Sequence, residues 1–179
     1  MQEQNVVVSV REGGFKRAVS VLGDFGRVSR TEFYNVLKLS AEDVPLMLED
    51  LRSRVEKAPE SLSFLSRLIP ASRTFTFNSP KEFERKAKEA VLTWAPELES
   101  RGFHVRIHRR GFKGRLSSPE EERYLDTILL AALLKAGHSG FITFENSDAV
   151  IDIETLGTWA GISLWSREDR ERYPFIRVD

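Results

Sequence analysis

The sequence has 179 residues, of which 41% are hydrophobic, which is enough to form a buried core in one domain or two small ones. Charged side chains make up 30% of the chain, but 27 basic and 27 acidic residues cancel, so a partner attracted by charge must be recognised by a local patch. The absence of cysteine excludes disulfides, thiol nucleophiles and thiolate metal sites, and it fits a reducing compartment.

Two features of the sequence bear on where in the cell the protein is found. The segment from Met1 to Asn5 has no basic region of the kind that begins a signal peptide. No apolar run reaches the ~18 residues that a membrane-spanning helix needs. The sequence therefore predicts a cytoplasmic protein that does not bind a membrane.

Hydrophobic spacing in the first part of the chain predicts the order β-α-β-β-α-β. The predicted elements are a strand at 5–10, a helix over the apolar residues from 15 to 22, one or two strands within 27–40, a helix with Ser40 as N-cap and apolar positions from 44 to 55, and a strand at 61–69. This order is typical of the split βαβ, or ferredoxin-like, arrangement.

The rest of the chain predicts a second mixed unit. Its elements are strands at 73–77, 103–110, 141–144, 149–154 and 159–165, helices from 79 to about 96 and from 119 to 136, and a charged, irregular tail at 166–179. The helix at 119–136 is apolar around most of its circumference, which indicates that it packs on more than one side. Gly137 is its predicted C-cap.

One stretch, residues 101–118, concentrates positive charge and contains no acid. It holds six Lys or Arg and two His: Arg101, His104, Arg106, His108, Arg109, Arg110, Lys113 and Arg115. Apolar Phe103, Val105 and Ile107 alternate with the polar residues, which predicts a strand with one buried face and one basic face. A basic turn follows, and Ser118 begins a helix as N-cap of a capping box.

Two interpretations of this stretch are open. A solvated sheet edge can be protected from aggregation by charge. The lack of interspersed acids instead favours a track for a polyanion, with an exposed Phe112 available for stacking on bases. The helix start is ambiguous, because its N–H groups attract phosphate while Glu120, Glu121 and Glu122 repel it.

Other candidate sites are weaker. Gly111 to Gly114 matches the GXXG loop of KH domains, but that loop lies between two helices and this one follows a strand. Three histidines without cysteine make a zinc site improbable. Asp152 and Glu154 share a strand face that is predicted to be solvated. No complete active site is recognisable, so we expect no enzymatic activity, no cofactor and no metal.

The second half resembles a THUMP domain, an RNA-binding module of thiouridine synthetases, RNA methyltransferases, pseudouridine synthases and the adaptor for tRNA cytidine acetylation. The resemblance rests on the basic strand and turn at 103–115, the following Ser117-Ser118-Pro-Glu, the segment 146–154 and the strand 159–164. Ser147 stands where the family usually has proline. The segment from Ser63 to Pro70, leading into the strand at 73–77, is similar to the acetylation-adaptor branch.

The resemblance implies an α+β fold in which an N-terminal ferredoxin-like domain, residues 1–72, packs against a THUMP-like α/β domain, residues 73–179. It implies binding of tRNA or another structured RNA near the acceptor end, with chemistry supplied by a fused or separate enzyme such as an acetyltransferase. We expect a stand-alone binding protein or adaptor, since 179 residues leave no room for a catalytic domain. The implied RNA-binding residues are Arg106, His108, Arg109, Arg110, Phe112, Lys113 and Arg115.

Two other functions stay open at this point. The chain could be a protein-interaction module that docks a partner enzyme and binds little RNA of its own. It could also be an enzyme whose site is not recognisable in sequence, in which case a deep pocket lined by ionisable groups is expected.

Overall fold

The computed structural model describes residues 5–179, in two compact units. One unit extends to Ala71 and includes Arg170–Arg177, and the other comprises Ser72–Asp169 and Val178–Asp179. The division into two independent domains, residues 1–72 and 73–179, stays a prediction. Residues 1–4, which carry most of the segment judged to lack a signal region, lie outside the described part.

The first unit contains a four-stranded antiparallel sheet and two helices. Its elements are β1 (Val6–Val10), α1 (Phe15–Leu22), β2 (Gly26–Arg30), β3 (Val36–Ala41), α2 (Val44–Lys57), a short 3-10 helix (Pro59–Leu62) and β4 (Leu65–Pro70). The strand order β2-β3-β1-β4 is that of the split βαβ arrangement, as predicted. The predicted strand at 61–69 is shorter, because its first residues form the 3-10 turn.

The start of α2 differs from the prediction. Ser40 belongs to β3, and Asp43 is the N-cap, whose side chain accepts a hydrogen bond from the Leu46 N–H at 3.0 Å. Asp43 is favoured because it is followed within two residues by Pro45, which occupies the first turn without needing a hydrogen-bond acceptor. The helix ends at Lys57, and its C-cap Ala58 lies just before Pro59, as predicted.

The remaining chain forms a five-stranded mixed sheet and three helices. Its elements are β5 (Arg73–Thr76), α3 (Pro80–Leu92), a 3-10 helix (Ala95–Leu98), β6 (Gly102–His108), α4 (Ser118–Lys135), β7 (Phe141–Ile142), β8 (Ala149–Leu156), β9 (Trp159–Ser166) and α5 (Arg167–Arg172). The strand order is β5-β9-β8-β6-β7, with β6 parallel to both β7 and β8. Chain segments far apart in sequence therefore become neighbours on β6.

The predicted irregular tail contains a helix, α5, and the cause is a capping box that sequence reading missed. Ser166 Oγ accepts from the Asp169 N–H at 3.1 Å, and Asp169 Oδ2 accepts from the Ser166 N–H at 3.2 Å. The predicted C-cap of α4 is wrong by one residue, since the helix ends at Lys135, its C-cap is Ala136, and Gly137 follows with φ of 79°.

The core of the second unit is aromatic and aliphatic. Phe77 and Phe83 pack edge to face with their centroids 5.1 Å apart, and Phe103, Leu125 and Leu129 are fully buried in the same cluster. Helix α4 packs on α3 and on β6, so it packs on more than one side as predicted, although one of its faces is exposed. Among residues 5–179, the helices are too short or too polar to cross a bilayer.

Candidate RNA-binding surface

Strand β6 presents two different faces, as the alternation predicts. Phe103, Val105 and Ile107 point into the core and are at most 4% exposed. Arg106 and His108 lie on the opposite face and are partly exposed, with side-chain exposures of 33% and 23%. The strand therefore holds part of the basic stretch against the sheet and leaves only a fraction of each cation in water.

The basic face of β6 has acidic partners from distant parts of the chain. Asp179 Oδ1 lies 2.9 Å from His104 Nε2 and 3.1 Å from Arg106 Nη2. Burial of Asp179 raises its pKa, but the hydrogen bonds from His104 and Arg106 outweigh this and hold the pKa below its ordinary value. Glu122 Oε2 lies 4.0 Å from Arg106 Nη1 on another side.

Asp152 and Glu154 overturn the prediction of a solvated face, because they are 0% and 2% exposed. Asp152 Oδ1 lies 3.2 Å from His108 Nε2, and Glu154 Oε2 lies 3.3 Å from Arg110 Nη1. The physical reason is strand pairing, since β8 lies parallel beside β6 and brings its acids next to the basic residues. The Arg110 guanidinium beside Glu154 and the His108 ring nitrogen beside Asp152 offset part of the cost of removing the two carboxylates from water.

The same residues form the candidate metal cluster of the second unit. His108, Asp152 and Glu154 each offer one ligand atom within 4.8 Å of the others. The guanidinium of Arg110 already faces Glu154, and His108 Nε2 also lies 3.0 Å from the carbonyl oxygen of Val178. Protein groups thus already contact both carboxylates, with the Arg110 guanidinium on Glu154 and the His108 ring on Asp152, so the donor set fits a structural polar cluster better than a metal centre. That the chain binds no metal stays a prediction.

The loop after β6 is different, because its cations are directed to solvent. Lys113 and Arg115 are exposed and Arg109 is partly exposed. Within residues 5–179, none of these three side chains forms an ion pair with a carboxylate. The loop is shaped by backbone with positive φ, at 92° for Gly111 and 53° for Phe112, and the Arg109 guanidinium donates to the Gly111 carbonyl oxygen. We call Arg109, Lys113 and Arg115 the loop cations.

Phe112 is not the exposed aromatic that the sequence suggested. Its ring is partly buried, packs against Phe77 with centroids 5.0 Å apart, and contacts the core of the second unit. The Arg115 guanidinium lies 4.8 Å from the centroid of the Phe112 ring. Phe112 therefore anchors the loop to the core and supports Arg115 by a cation–π contact.

The first residues of α4 form more hydrogen bonds within the protein, and are more buried, than the sequence predicts. Its N-cap is Ser117 rather than Ser118, with Ser117 Oγ accepting from the Glu120 N–H at 3.5 Å. Glu121 is buried, and burial followed by a hydrogen bond to Glu84 raises its pKa to about 8. Glu122 Oε1 accepts from the Ile107 N–H at 3.0 Å. Of the three glutamates expected to repel phosphate, only Glu120 is fully exposed.

The residues that sequence reading missed are the acidic partners of the basic strand: Asp152, Glu154, Asp179 and Glu122. One signal could have revealed the first two. Residues 151–154 alternate apolar and acidic side chains, while residues 103–108 alternate apolar and basic ones. Two strands with matching alternation and opposite charge are expected to pair.

Comparisons with known proteins identify the fold. No model of a known protein family and no curated protein matches the sequence. Solved structures do match, among them PH1313 from Pyrococcus horikoshii OT3, at 15% identity and a TM-score of 0.59 over 92% of this chain and 55% of that one. TrmN from Thermus thermophilus matches at 15% identity and a TM-score of 0.60, over 90% of this chain and 45% of that one.

A 4-thiouridine synthetase in complex with RNA and ATP matches at 17% identity and a TM-score of 0.52, over 92% of this chain and 42% of that one. The fold is THUMP-like. The chain spans about half the length of these solved structures, and more than half of TrmN and of the synthetase has no counterpart in the 179 residues.

Proposed function

We propose that the chain binds structured RNA, principally tRNA near its acceptor end, and presents it to a separate RNA-modifying enzyme such as an acetyltransferase. In this proposal the chain itself has no catalytic activity. The observation that carries the proposal is the group of loop cations, which are held on a short loop and oppose no carboxylate within residues 5–179.

The loop cations suit phosphate for a physical reason. A cation already paired with a buried carboxylate must lose that partner before it can bind a phosphate, whereas for an unopposed cation the cost is only that of its own ordering and desolvation. Arg115 is partly ordered in advance, because it rests on the Phe112 ring. We therefore assign the main phosphate contacts to the loop cations. Arg106, His108 and Arg110 stay predicted contacts, and we expect them to contribute less to RNA affinity.

The structural neighbours support an RNA ligand. The 4-thiouridine synthetase that shares the fold was solved with RNA, and TrmN and a possible methylase from Clostridium difficile 630 share the fold as well. The matched chains are about twice as long as this one. These neighbours support the RNA-binding part of the proposal, and the adaptor role needs a test of its own.

The binding part is tested by salt titration of tRNA affinity. Removing the three loop cations (Arg109→Ala, Lys113→Ala and Arg115→Ala together) should weaken binding and reduce the slope of log K against log salt by roughly 0.7 to 0.9 for each phosphate that is no longer bound. The matched control removes three exposed cations from α3 (Lys81→Ala, Arg85→Ala and Lys88→Ala), which changes the net charge equally and should leave the slope unchanged. Equal effects of the two triple variants would contradict the proposal.

The adaptor part needs a separate measurement. Cells that lack the chain should lose a modified nucleoside from tRNA, as measured by mass spectrometry of digested tRNA. The loop-cation variant should fail to restore the nucleoside, and the α3 control should restore it. Formation of the modification by the purified chain alone, given tRNA and the group donor, would show an enzyme and overturn this part while leaving RNA binding intact.

A further inference from the structure

Helix α4 has an apolar face that residues 5–179 do not cover. Leu134 is 78% exposed and Tyr124 is 37% exposed, and Ala131 is also exposed. Tyr124 and Ile128 line a shallow apolar depression of about 350 Å³ on the same face. Since the opposite face packs on α3 and β6, this exposed face is the part of the helix circumference left for a partner.

We propose that this face binds the same face of a second copy of the chain, with the two α4 helices antiparallel. The contact is made by residues that share one stripe of the helix, which we call the α4 stripe: Glu120, Tyr124, Thr127, Ile128, Ala131 and Lys135. The proposal is independent of RNA binding, because the stripe contains none of the loop cations.

The side chains of the α4 stripe argue for a second copy. A two-fold axis between Thr127 and Ile128 brings each position opposite another, as it does for any stripe with this spacing, so the evidence lies in the side chains that then meet. Tyr124 then lies opposite the partner's Ala131, which sets a large side chain against a small one. Thr127 lies opposite the partner's Ile128 at the centre.

The ends of the stripe are complementary in charge. Glu120 lies opposite the partner's Lys135, and the symmetry repeats this pair at the other end of the contact. The two residues are 15 positions apart, or about 22 Å along the helix. Both are exposed, and within residues 5–179 neither forms an ion pair in its own chain. Antiparallel packing thus gives each an oppositely charged neighbour, whereas parallel packing in register would set like charges together.

The size of the contact sets its strength. One helix pair buries less than the roughly 1,600 Å² of a standard interface, so we expect a reversible dimer in the micromolar range. A partner protein or another chain segment could also cover an apolar face. Such an occupant does not require the stripe to be complementary to itself, which is why we commit to a second copy.

Sedimentation equilibrium over a range of concentrations tests the proposal. Wild-type protein should show a concentration-dependent dimer, and Ala131→Glu, which sets a charge beneath the partner's Tyr124, should be monomeric. Glu120→Lys and Lys135→Glu should each weaken the dimer by about tenfold, and the double variant should restore it, because both pairs re-form with the signs exchanged. Lys88→Glu on exposed α3 is the control and should dimerise like wild type.

Chemical crosslinking gives a second readout, since the natural chain has no cysteine. A Thr127→Cys variant should form covalent dimers with a short bis-maleimide, and Ser20→Cys on the exposed side of α1 should not. A monomer at every concentration, a dimer insensitive to Ala131→Glu, or equal crosslinking of the two cysteine variants would each overturn the proposal. So would occupation of the stripe by a different protein in the presence of excess chain.

Discussion

The two halves of the basic stretch, the strand β6 with Arg110 and the loop that follows, are both rich in basic side chains but have different surroundings. On the strand side, Arg106, His108 and Arg110 face carboxylates that come from more than ten residues away in sequence. On the loop, Lys113 and Arg115 extend into solvent. The number of cations in a segment therefore differs from the number available to a ligand, because carboxylates that the fold brings beside some of these cations neutralise them.

The comparison predicts opposite phenotypes for two arginines five residues apart. Arg110→Ala should lower the free energy of unfolding by about 3 kcal/mol, because it leaves Glu154 buried without its cation. Arg115→Ala should change stability by less than about 0.5 kcal/mol, since its guanidinium is exposed. Urea unfolding of the two variants measures both values. Equal stabilities would mean that the strand cations are not structural.

The acids of the same region predict a pH dependence. Glu121 and Asp126 have pKa values of about 8 and about 7 in the folded protein, each raised mainly by burial above its ordinary value of 4.5 or 3.8. The folded state therefore binds these protons more tightly than the unfolded chain. The contribution of these two groups to the free energy of unfolding should be fully present below about pH 4. It should be lost progressively as the pH rises to about 8.

The loss should be on the order of 2 kcal/mol between pH 6 and pH 7, measured by urea unfolding at each pH. Glu121→Gln keeps the shape of the side chain without titrating, so it should flatten the pH profile. Glu145→Gln, at an exposed position of the same unit, is the matched control and should leave the profile unchanged. A flat wild-type profile would contradict the assignment of a protonated Glu121 between α3 and α4.

The strand acids show where prediction from sequence ends. Local patterns were enough for the strand faces at Phe103 and Ile107 and for the helix start near Ser118, because alternation, helical period and capping act over a few residues. The burial of Asp152 could not be read locally, since it depends on β8 lying beside β6, 40 or more residues earlier in the chain. Phe112 was misjudged for the same reason, because its packing partner Phe77 lies in an earlier segment.

Removing the Phe112 ring, which anchors the loop to the core, should have a smaller effect on stability. Phe112→Ala should lower the free energy of unfolding by about 1 to 2 kcal/mol, because the ring is partly buried against Phe77. Phe112→Leu should recover most of this stability by filling the same space. If Phe112 instead served mainly to stack on bases, both variants would lose RNA affinity and Phe112→Ala would keep wild-type stability.

The smallest expected change is that of one exposed lysine. Lys113→Ala should leave thermal unfolding unchanged and reduce the salt slope of tRNA binding by roughly 0.7 to 0.9, the value for one phosphate contact. Lys88→Ala, at another exposed position of the second unit, should leave the slope unchanged. A larger slope change for Lys88 than for Lys113 would move the RNA surface away from the loop.

The carboxylates of α4 also have a consequence for the behaviour of the protein at high concentration. Strand β7 pairs with only two residues of β6, and beyond it the N–H groups of Val105 and Ile107 donate to Asp126 and Glu122 instead of to another strand. Side chains thus occupy an edge where a strand from another molecule could add. Replacing Asp126 and Glu122 by alanine would free those donors and expose the chain to sheet-mediated aggregation, which makes this pair of acids a safeguard of solubility.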